Sequence, residues 1–489
     1  MQTYKMLIGG KLVDAESGRT FPAINPANGE EMALAAFGGR EEVNKAVQAA
    51  RDAFPIWSRK TQEERSNLIS QIAGVVVANA KELAQIESLN HGFPIKVAIG
   101  PVQGSARGLE LISQMSKSLM GAHIPARSSA LSYVKREPVG VCGLIVPWNV
   151  PFGIAMSMMG SAIAVGNTCV LKPSSINCLS ALKLGELLTK TDLPPGVVNI
   201  ITGSGDTVGE AMASHPGITQ IGFTGSTETG KAILSAGSST VKRMHMKLGG
   251  KNPFIVLDDA DIDAAVDCAV FGSFFNSGMI CASPGRYYVH EKIHDEFVDK
   301  FVAAAKNIIM GDPSDERTQM GPVVSGQHRD QVEAYIKSGL DEGAKLALGG
   351  VRPSDPPLDK GFYVPPTIFT QVTQDMKIAR EEVFGPVACI IKYKNDSEAI
   401  RFANDTRYGL CASVWTKDIG RGIRFTDEIN AGTVWVNEHG FNLLELPWGG
   451  FKESGLGKSG STFGVEEYTQ LKAVYIDLSG QKQKMWHRL

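Results

Sequence analysis

The residue best suited to be a nucleophile is Cys281, which ends the run Asn276-Ser277-Gly278-Met279-Ile280-Cys281. Small neighbours (Gly278, Ala282, Ser283 and Gly285) let a backbone or a substrate come close. A thiol used this way needs access and a lowered pKa, which loops after helices often provide. A buried, inert cysteine is the ordinary alternative. Pro147-Trp148-Asn149-Val150-Pro151 fixes an asparagine between two prolines. Its amide can face a developing oxyanion or simply shape a turn. Phe223-Thr224-Gly225-Ser226-Thr227-Glu228-Thr229-Gly230 reads as strand, small-residue turn, helix. Such a turn offers free N–H groups to a pyrophosphate, with Ser226 as an extra donor or as a plain helix cap. Lys172-Pro173-Ser174-Ser175 closes another strand, where a lysine can reach a ribose or phosphate or stay solvated. Glu382-Val383-Phe384-Gly385-Pro386 sets a carboxylate and an aromatic before a turn.

The elements that must position these residues form three blocks. The first 120 residues read as mostly helical. Gly38-Gly39 precedes Val43, Ala46, Val47, Ala50 and Phe54 at helical spacing, and Thr61 with Glu64 forms a capping box. Gly92 and Pro94 close that region. From residue 139 short apolar runs alternate with helical segments: strands are expected at 139–146, 168–171, 197–201, 219–223 and 254–257, helices at 179–188 and 225–236. Continuous apolar strands separated by helices predict a parallel sheet covered on both faces, with ligands at its carboxyl ends. A helix over 261–275 opens a second α/β block that runs to about residue 450. The alternating run 471–478 predicts a terminal strand outside both blocks, seeking an edge that another subunit can provide.

Composition narrows the class. The 489 residues hold 49 Lys+Arg against 51 Asp+Glu, a formal net charge of -2, which argues against a nucleic-acid or anionic-membrane surface. The most apolar stretch, 152–171, is broken by Gly153, Ser157, Gly160, Ser161, Gly166 and Asn167, as suits a helix followed by a buried strand better than a membrane span. The first residues lack a charged-then-apolar leader, so no secretory signal is expected. Seven cysteines without close-spaced pairs point to a reducing compartment, and no Cys/His spacing suits zinc. The expectation is a cytoplasmic enzyme without a metal.

Taken in order, these segments resemble the aldehyde dehydrogenase superfamily over essentially the whole chain. The resemblance rests on Asn25-Pro26-Ala27 with Gly29-Glu30, the PWNVP run, Lys172-Pro173, the FTGSTETG run, Leu248-Gly249-Gly250-Lys251, Cys281, the EVFGP run, and Pro447-Trp448-Gly449-Gly450-Phe451-Lys452 with Ser454-Gly455. It implies an α/β fold with a Rossmann-like cofactor domain (1–118 and 139–249), a catalytic domain (250–450) and a small β oligomerisation arm (119–138 and 466–489) that joins subunits into homodimers or homotetramers. It also implies an oxidation: Cys281 attacks an aldehyde, Asn149 and the Cys281 N–H hold the oxyanion, and hydride passes to NAD or NADP, leaving a thioester. Lys172 and Glu382 then hold the two riboses, Trp148 and Ser226 position the cofactor, and Phe384 packs by the nicotinamide ribose. Val146, Ser175, Gly205, Phe223, Gly225 and Leu248 complete the implied cofactor site.

Two departures bear on the last step. The family's Glu-Leu-Gly-Gly-Lys reads Lys247-Leu248-Gly249-Gly250-Lys251, and the glutamate of its SGxGRE segment is Ser459. Both carboxylates credited with activating water are absent. A neutral Lys247 can replace the base if its pKa falls by about 3 units. A charged Lys247 instead lowers the Cys281 pKa, and coenzyme A or slow hydrolysis then removes the acyl group. A cofactor-binding homologue with impaired deacylation is the third outcome. Ser175 replaces a glutamate that NAD-preferring members carry, so NADP is expected to be accepted. Trp448, the 441–444 segment, Val150 and Ser157 are expected to line the substrate path, with apolar or aromatic aldehydes preferred.

Overall fold

The computed structural model describes residues 1–440 and 443–480. Its centre is an eight-stranded sheet in the order Gly455–Leu456, Arg243–Lys247, Gln220–Thr224, Val141–Ile145, Thr168–Lys172, Val198–Ile200, Met6–Ile8, Lys11–Val13. The five inner strands from Arg243–Lys247 to Val198–Ile200 run parallel, and every residue of Val141–Ile145, Thr168–Lys172 and Gln220–Thr224 is buried. Burial on both faces is what their unbroken apolar runs require. The chain lays Val141–Ile145 in the middle, adds Thr168–Lys172 and Val198–Ile200 on one side, then returns to the other side with Gln220–Thr224. That reversal opens a crevice at the carboxyl ends of Val141–Ile145 and Gln220–Thr224.

A second, seven-stranded sheet runs Lys345–Leu348, Thr367–Thr370, Val387–Tyr393, Pro284–His290, Asn252–Val256, Cys411–Trp415, Thr433–Val436, parallel except at its Lys345–Leu348 edge. Three further strands, Thr469–Asp477, Ala130–Pro138 and Ala122–His123, form a separate antiparallel ribbon. Among the described residues no helix is long and apolar enough to cross a membrane.

Local signals hold where the chemistry is local. Thr61 caps Gln62–Ala78 by accepting from Glu64 N–H, and the Glu64 side chain returns to Thr61 N–H. The helix Leu179–Leu188 occupies the expected residues, and the one expected over 225–236 forms as Thr227–Gly237. The first 120 residues are mostly helical as expected, through Arg40–Trp57, Gln62–Ala78, Ala80–His91 and Ile95–Lys117, although the first 36 carry five short strands, two of which extend the central sheet. Three expectations need correction. Gly92 ends only one helix, and a 23-residue helix, Ile95–Lys117, follows at once and packs on Pro151–Ala164. The run read as the fifth strand of the first block forms Asn252–Val256 in the second sheet, between Pro284–His290 and Cys411–Trp415. The terminal strand finds its edge inside its own chain, pairing along Ala130–Pro138 from Thr469↔Pro138 to Asp477↔Ala130. Apolar run length carries no information on which sheet or which edge a strand joins.

Asn167 ties these parts together. Fully buried, it accepts from Gly140 N–H at 3.0 Å and donates to Ala162 O at 3.1 Å and Tyr468 O at 2.8 Å. Asn167→Ala takes the side-chain partner from Gly140 N–H and Tyr468 O, while Ala162 O keeps the Asn167 backbone N–H, and is expected to destabilise the fold by about 3 kcal/mol, read as a lower urea midpoint.

Candidate active site

The crevice between the two large sheets is a cavity of about 840 Å³. Among the expected residues, Trp148, Asn149, Ser157, Gly225, Ser226, Lys247, Leu248, Cys281, Glu382, Phe384 and Trp448 line it. Val146, Val150, Lys172, Ser175, Gly205 and Phe223 are not on its wall. Val146 donates its N–H to Lys172 O, and Val150 stands at the start of the helix Pro151–Ala164. Phe223 is buried beneath Gly225, where a side chain would strike its ring. Lys172 turns its ammonium onto Pro173 O at 3.2 Å, and Ser175 donates to Gly203 O at 2.7 Å. Gly205 opens the turn Gly205–Gly209, whose last glycine faces the Lys172 stem. Lys172, Ser175 and Gly205 thus lie by the carboxyl ends of Thr168–Lys172 and Val198–Ile200, beside the cavity. Phe441 of the expected 441–444 segment lies outside the described residues, whereas Leu443 and Leu444 line the cavity.

The Cys281 loop is held by backbone shape. Asn276 and Ser277 both adopt left-handed conformations, with φ of 51° and 53°. Gly278 follows at φ 71°, and an added Cβ there would collide with the Gly385 carbonyl. Phe384, just before that carbonyl, is itself left-handed (φ 56°). Its own carbonyl meets His328 Nε2 at 2.8 Å, while the His328 and Trp148 rings lie 4.8 Å apart. The loops carrying Cys281 and Glu382 therefore fix one another.

A buried amide chain places Asn149. Asn276 Nδ2 donates to Asn149 O at 2.9 Å, which turns Asn276 Oδ1 toward His91 Nε2 at 2.8 Å. His91 must then carry its proton on Nε2 and accept at Nδ1 from Asn177 Nδ2, 3.1 Å away. Burial holds His91 neutral by pulling it down to about 4. The Asn149 side chain gives one N–H to Met279 O at 3.0 Å, leaving the other for a substrate oxygen.

Electrostatics favour neutral forms. Burial pushes the Cys281 thiol up to about 11; the Glu382 carboxylate adds to the rise, and Lys247 opposes it only in part. A charged Lys247 alone therefore does not give the lowered thiol pKa expected of a nucleophile. Burial also pulls Lys247 down to about 8, close to the fall a neutral lysine base needs, and pushes Glu382 up to about 7. Glu382 Oε1 accepts from Gly250 N–H at 2.9 Å, and Gly249 lies so close to Oε2 that any side chain would displace it. Where the family glutamate is lost, Ser459 Oγ lies 3.3 Å from His245 Nε2, and Tyr468 Oη lies 3.3 Å from His245 Nδ1.

Sequence reasoning missed His328, Gln331, Tyr335 and Arg407 as cavity walls, although the Val332/Tyr335/Ile336 period marks the helix of the first three, Gly326–Asp341. It also missed Ile154 and Leu446, which with Leu443, Leu444 and Trp448 make one end apolar.

Comparison with known proteins agrees with this architecture. The sequence model of the Aldehyde dehydrogenase family matches residues 12–474. An NAD-dependent aldehyde dehydrogenase from Sinorhizobium meliloti is 39% identical, with a TM-score of 0.96 over 99% of this chain and 96% of that one. Betaine aldehyde dehydrogenase from Staphylococcus aureus, solved in complex with NAD+, is 34% identical with a TM-score of 0.97, covering 99% and 96%. An aldehyde dehydrogenase from Bacillus cereus, solved as a mutant, is 37% identical with a TM-score of 0.95, covering 98% and 97%. With a matched family model across nearly its full length and these relatives on one fold, the chain belongs to the aldehyde dehydrogenase family.

Proposed function

We propose that the protein oxidises an apolar or aromatic aldehyde to its carboxylic acid, with Cys281 as nucleophile and Lys247 as the base that activates water. The observation that carries this reading is the convergence of Cys281, Asn149, Lys247 and Glu382 on one cavity at the sheet's reversal point. The cavity suits a nicotinamide dinucleotide: Gly225, which carries no side chain, lines it beside the start of Thr227–Gly237, where Ser226 caps the helix by accepting from Thr229 N–H at 3.2 Å, and Glu382 keeps Oε2 for a ribose. A dinucleotide bound there supplies the acceptor for the hydride. Cys281 Sγ bonds to the carbonyl carbon as its proton passes to water in the cavity and the C=O pair moves onto oxygen, and the free Asn149 N–H stabilises the oxyanion. Loss of hydride from that carbon leaves a thioester on Cys281. Lys247 then takes a proton from water as the oxygen attacks, releasing acid and thiol. The wall of Ile154, Leu443, Leu444, Leu446 and Trp448 favours an apolar substrate, and Ser157 leaves room opposite.

The cofactor is NAD, with NADP also accepted, because Ser175 carries no charge to repel a 2′-phosphate and Lys172 is near. Residues 1–118 and 139–249 bind it and lend Asn149 and Lys247 to the catalytic domain, 250–450, which bears Cys281, and 119–138 with 466–489, of which 481–489 lie outside the described residues, join copies into a cytoplasmic dimer or tetramer. Support for the last point is the strand Thr469–Asp477, an edge with exposed Leu471, Tyr475 and Ile476. A coenzyme A-acylating reaction is the second reading, favoured by the replacement of both carboxylates by Lys247 and Ser459.

An aldehyde panel followed at the reduced-nicotinamide absorbance, with and without coenzyme A, tests these readings; a coenzyme A-dependent rise in turnover supports the second. Acyl-enzyme is expected to accumulate, seen as a burst and a mass adduct on Cys281; fast linear turnover to acid contradicts that. Lys247→Met should keep the burst and lose about 10²-fold or more of steady turnover. In the wild type, steady turnover should rise with pH through about 8, as Lys247 loses its proton, and then level off. Cys281, pushed up by burial to about 11, and His245, pulled down by burial to about 3, lie outside this range, whereas burial raises Glu382 into it, so the Lys247→Met profile, which should lose the rise, separates Lys247 from Glu382. Asn276→Ala, which frees the Asn149 backbone, should lower the burst rate about 10²-fold while a cofactor-induced thermal shift is kept. For the cofactor, kcat/KM with NADP is expected within about 10²-fold of that with NAD, and a far larger bias toward NAD counts against the role of Ser175.

A further inference from the structure

The Lys247 side chain makes no hydrogen bond or ion pair among the described residues. Three other buried lysines are engaged: Lys172 donates to Pro173 O, Lys183 to Glu82 and Glu186, and Lys242 to His215 O, Ile218 O and Thr240 Oγ1. Lys251 is buried too, but it does not line the cavity. Lys247 is 9% exposed, and what it exposes faces the cavity it shares with Cys281 and Asn149. It ends the strand Arg243–Lys247, whose pairing with Gln220–Thr224 and Gly455–Leu456 holds its backbone on both sides. A primary amine without a counter-ion thus stands where an aldehyde carbonyl must enter.

We propose that Lys247 condenses reversibly with the aldehyde as a Schiff base, a second fate for the molecule that Cys281 oxidises. The nitrogen lone pair attacks the carbonyl carbon, and a proton moves from nitrogen to oxygen to give a carbinolamine. Water then leaves and C=N replaces C=O, so nothing is oxidised or reduced and no further reactant is needed. The burial that draws Lys247 toward its neutral form supplies the lone pair near neutral pH. Aromatic aldehydes give the more stable, conjugated imines, so the apolar wall and the amine select the same substrates. The imine competes with thiohemiacetal formation and acts as a brake when aldehyde is abundant. This inference rests on the reading above only in that the aldehyde enters this cavity.

The test uses the full-length Cys281→Ser protein, with Cys281→Ala as a second background, incubated with benzaldehyde and cyanoborohydride, which reduces an imine to a stable amine. Peptide mapping compares Lys247 with Lys377, an exposed lysine at the same cavity that lies over the Tyr335 ring. Labelling of Lys247 at least about tenfold faster than Lys377 is expected. In proteins with Cys281 intact, inhibition of the burst, which does not need the Lys247 base, by excess benzaldehyde should be present in the wild type and absent in Lys247→Arg, whose guanidinium forms no such imine. Equal labelling of the two lysines in both backgrounds, or inhibition that survives Lys247→Arg, overturns the proposal. Its failure is distinct from that of the oxidation reading: a wild type that forms reduced nicotinamide without a Lys247 adduct refutes only the imine, and an adduct without reduced nicotinamide refutes only the oxidation.

Discussion

Gly278 pressed against the Gly385 carbonyl sets the distance between the loop that carries Cys281 and the loop that carries Glu382 and Phe384. Only short turns hold the Cys281 loop, with Met279 N–H on Asn276 O and Ser283 N–H on Ile280 O, and Asn276, Ser277 and Phe384 of the two loops sit in left-handed backbone conformations. Such conformations cost about 1–3 kcal/mol each for residues other than glycine. They persist here because each side braces the other and because Ser277 Oγ donates to Gly321 O and His328 meets Phe384 O. The position of the sulfur is thus a property of two loops in contact.

Around that sulfur, charge is suppressed. Cys281, Lys247 and Glu382 belong to different elements, yet burial displaces each toward its uncharged form. In a low-dielectric crevice an unpaired charge is expensive, so neutral groups are favoured until a polar ligand arrives. A carboxylate at position 247 would stay charged only with help; an amine there becomes neutral through the same burial. Lys247 therefore presents to the cavity an amine that burial draws toward its neutral form.

Much of this was readable from residues alone, for physical reasons that differ by site. The strands Val141–Ile145 and Gln220–Thr224 were visible because burial on both faces demands unbroken apolar runs. Their adjacency, which creates the crevice, left no trace in either run. Cys281, Asn149 and Glu382 stood out through small neighbours, flanking prolines and ordered motifs. His91 and His328 did not: an isolated histidine in a helix looks the same whether it faces solvent or, like His91, threads a buried amide chain to Asn149. The terminal strand was visible by alternation. Its pairing with Ala130–Pro138, far back in the same chain, depended on the path of everything between them.

Tyr468 is the last residue before that terminal strand, and it is buried against the strand that ends in Lys247, with its hydroxyl at His245 and its carbonyl on Asn167. The ribbon that reaches outward is therefore anchored at its root in the same wall that bears Lys247. Shortening the chain ahead of Tyr468 would remove a prop of the cavity wall together with the strand Thr469–Asp477.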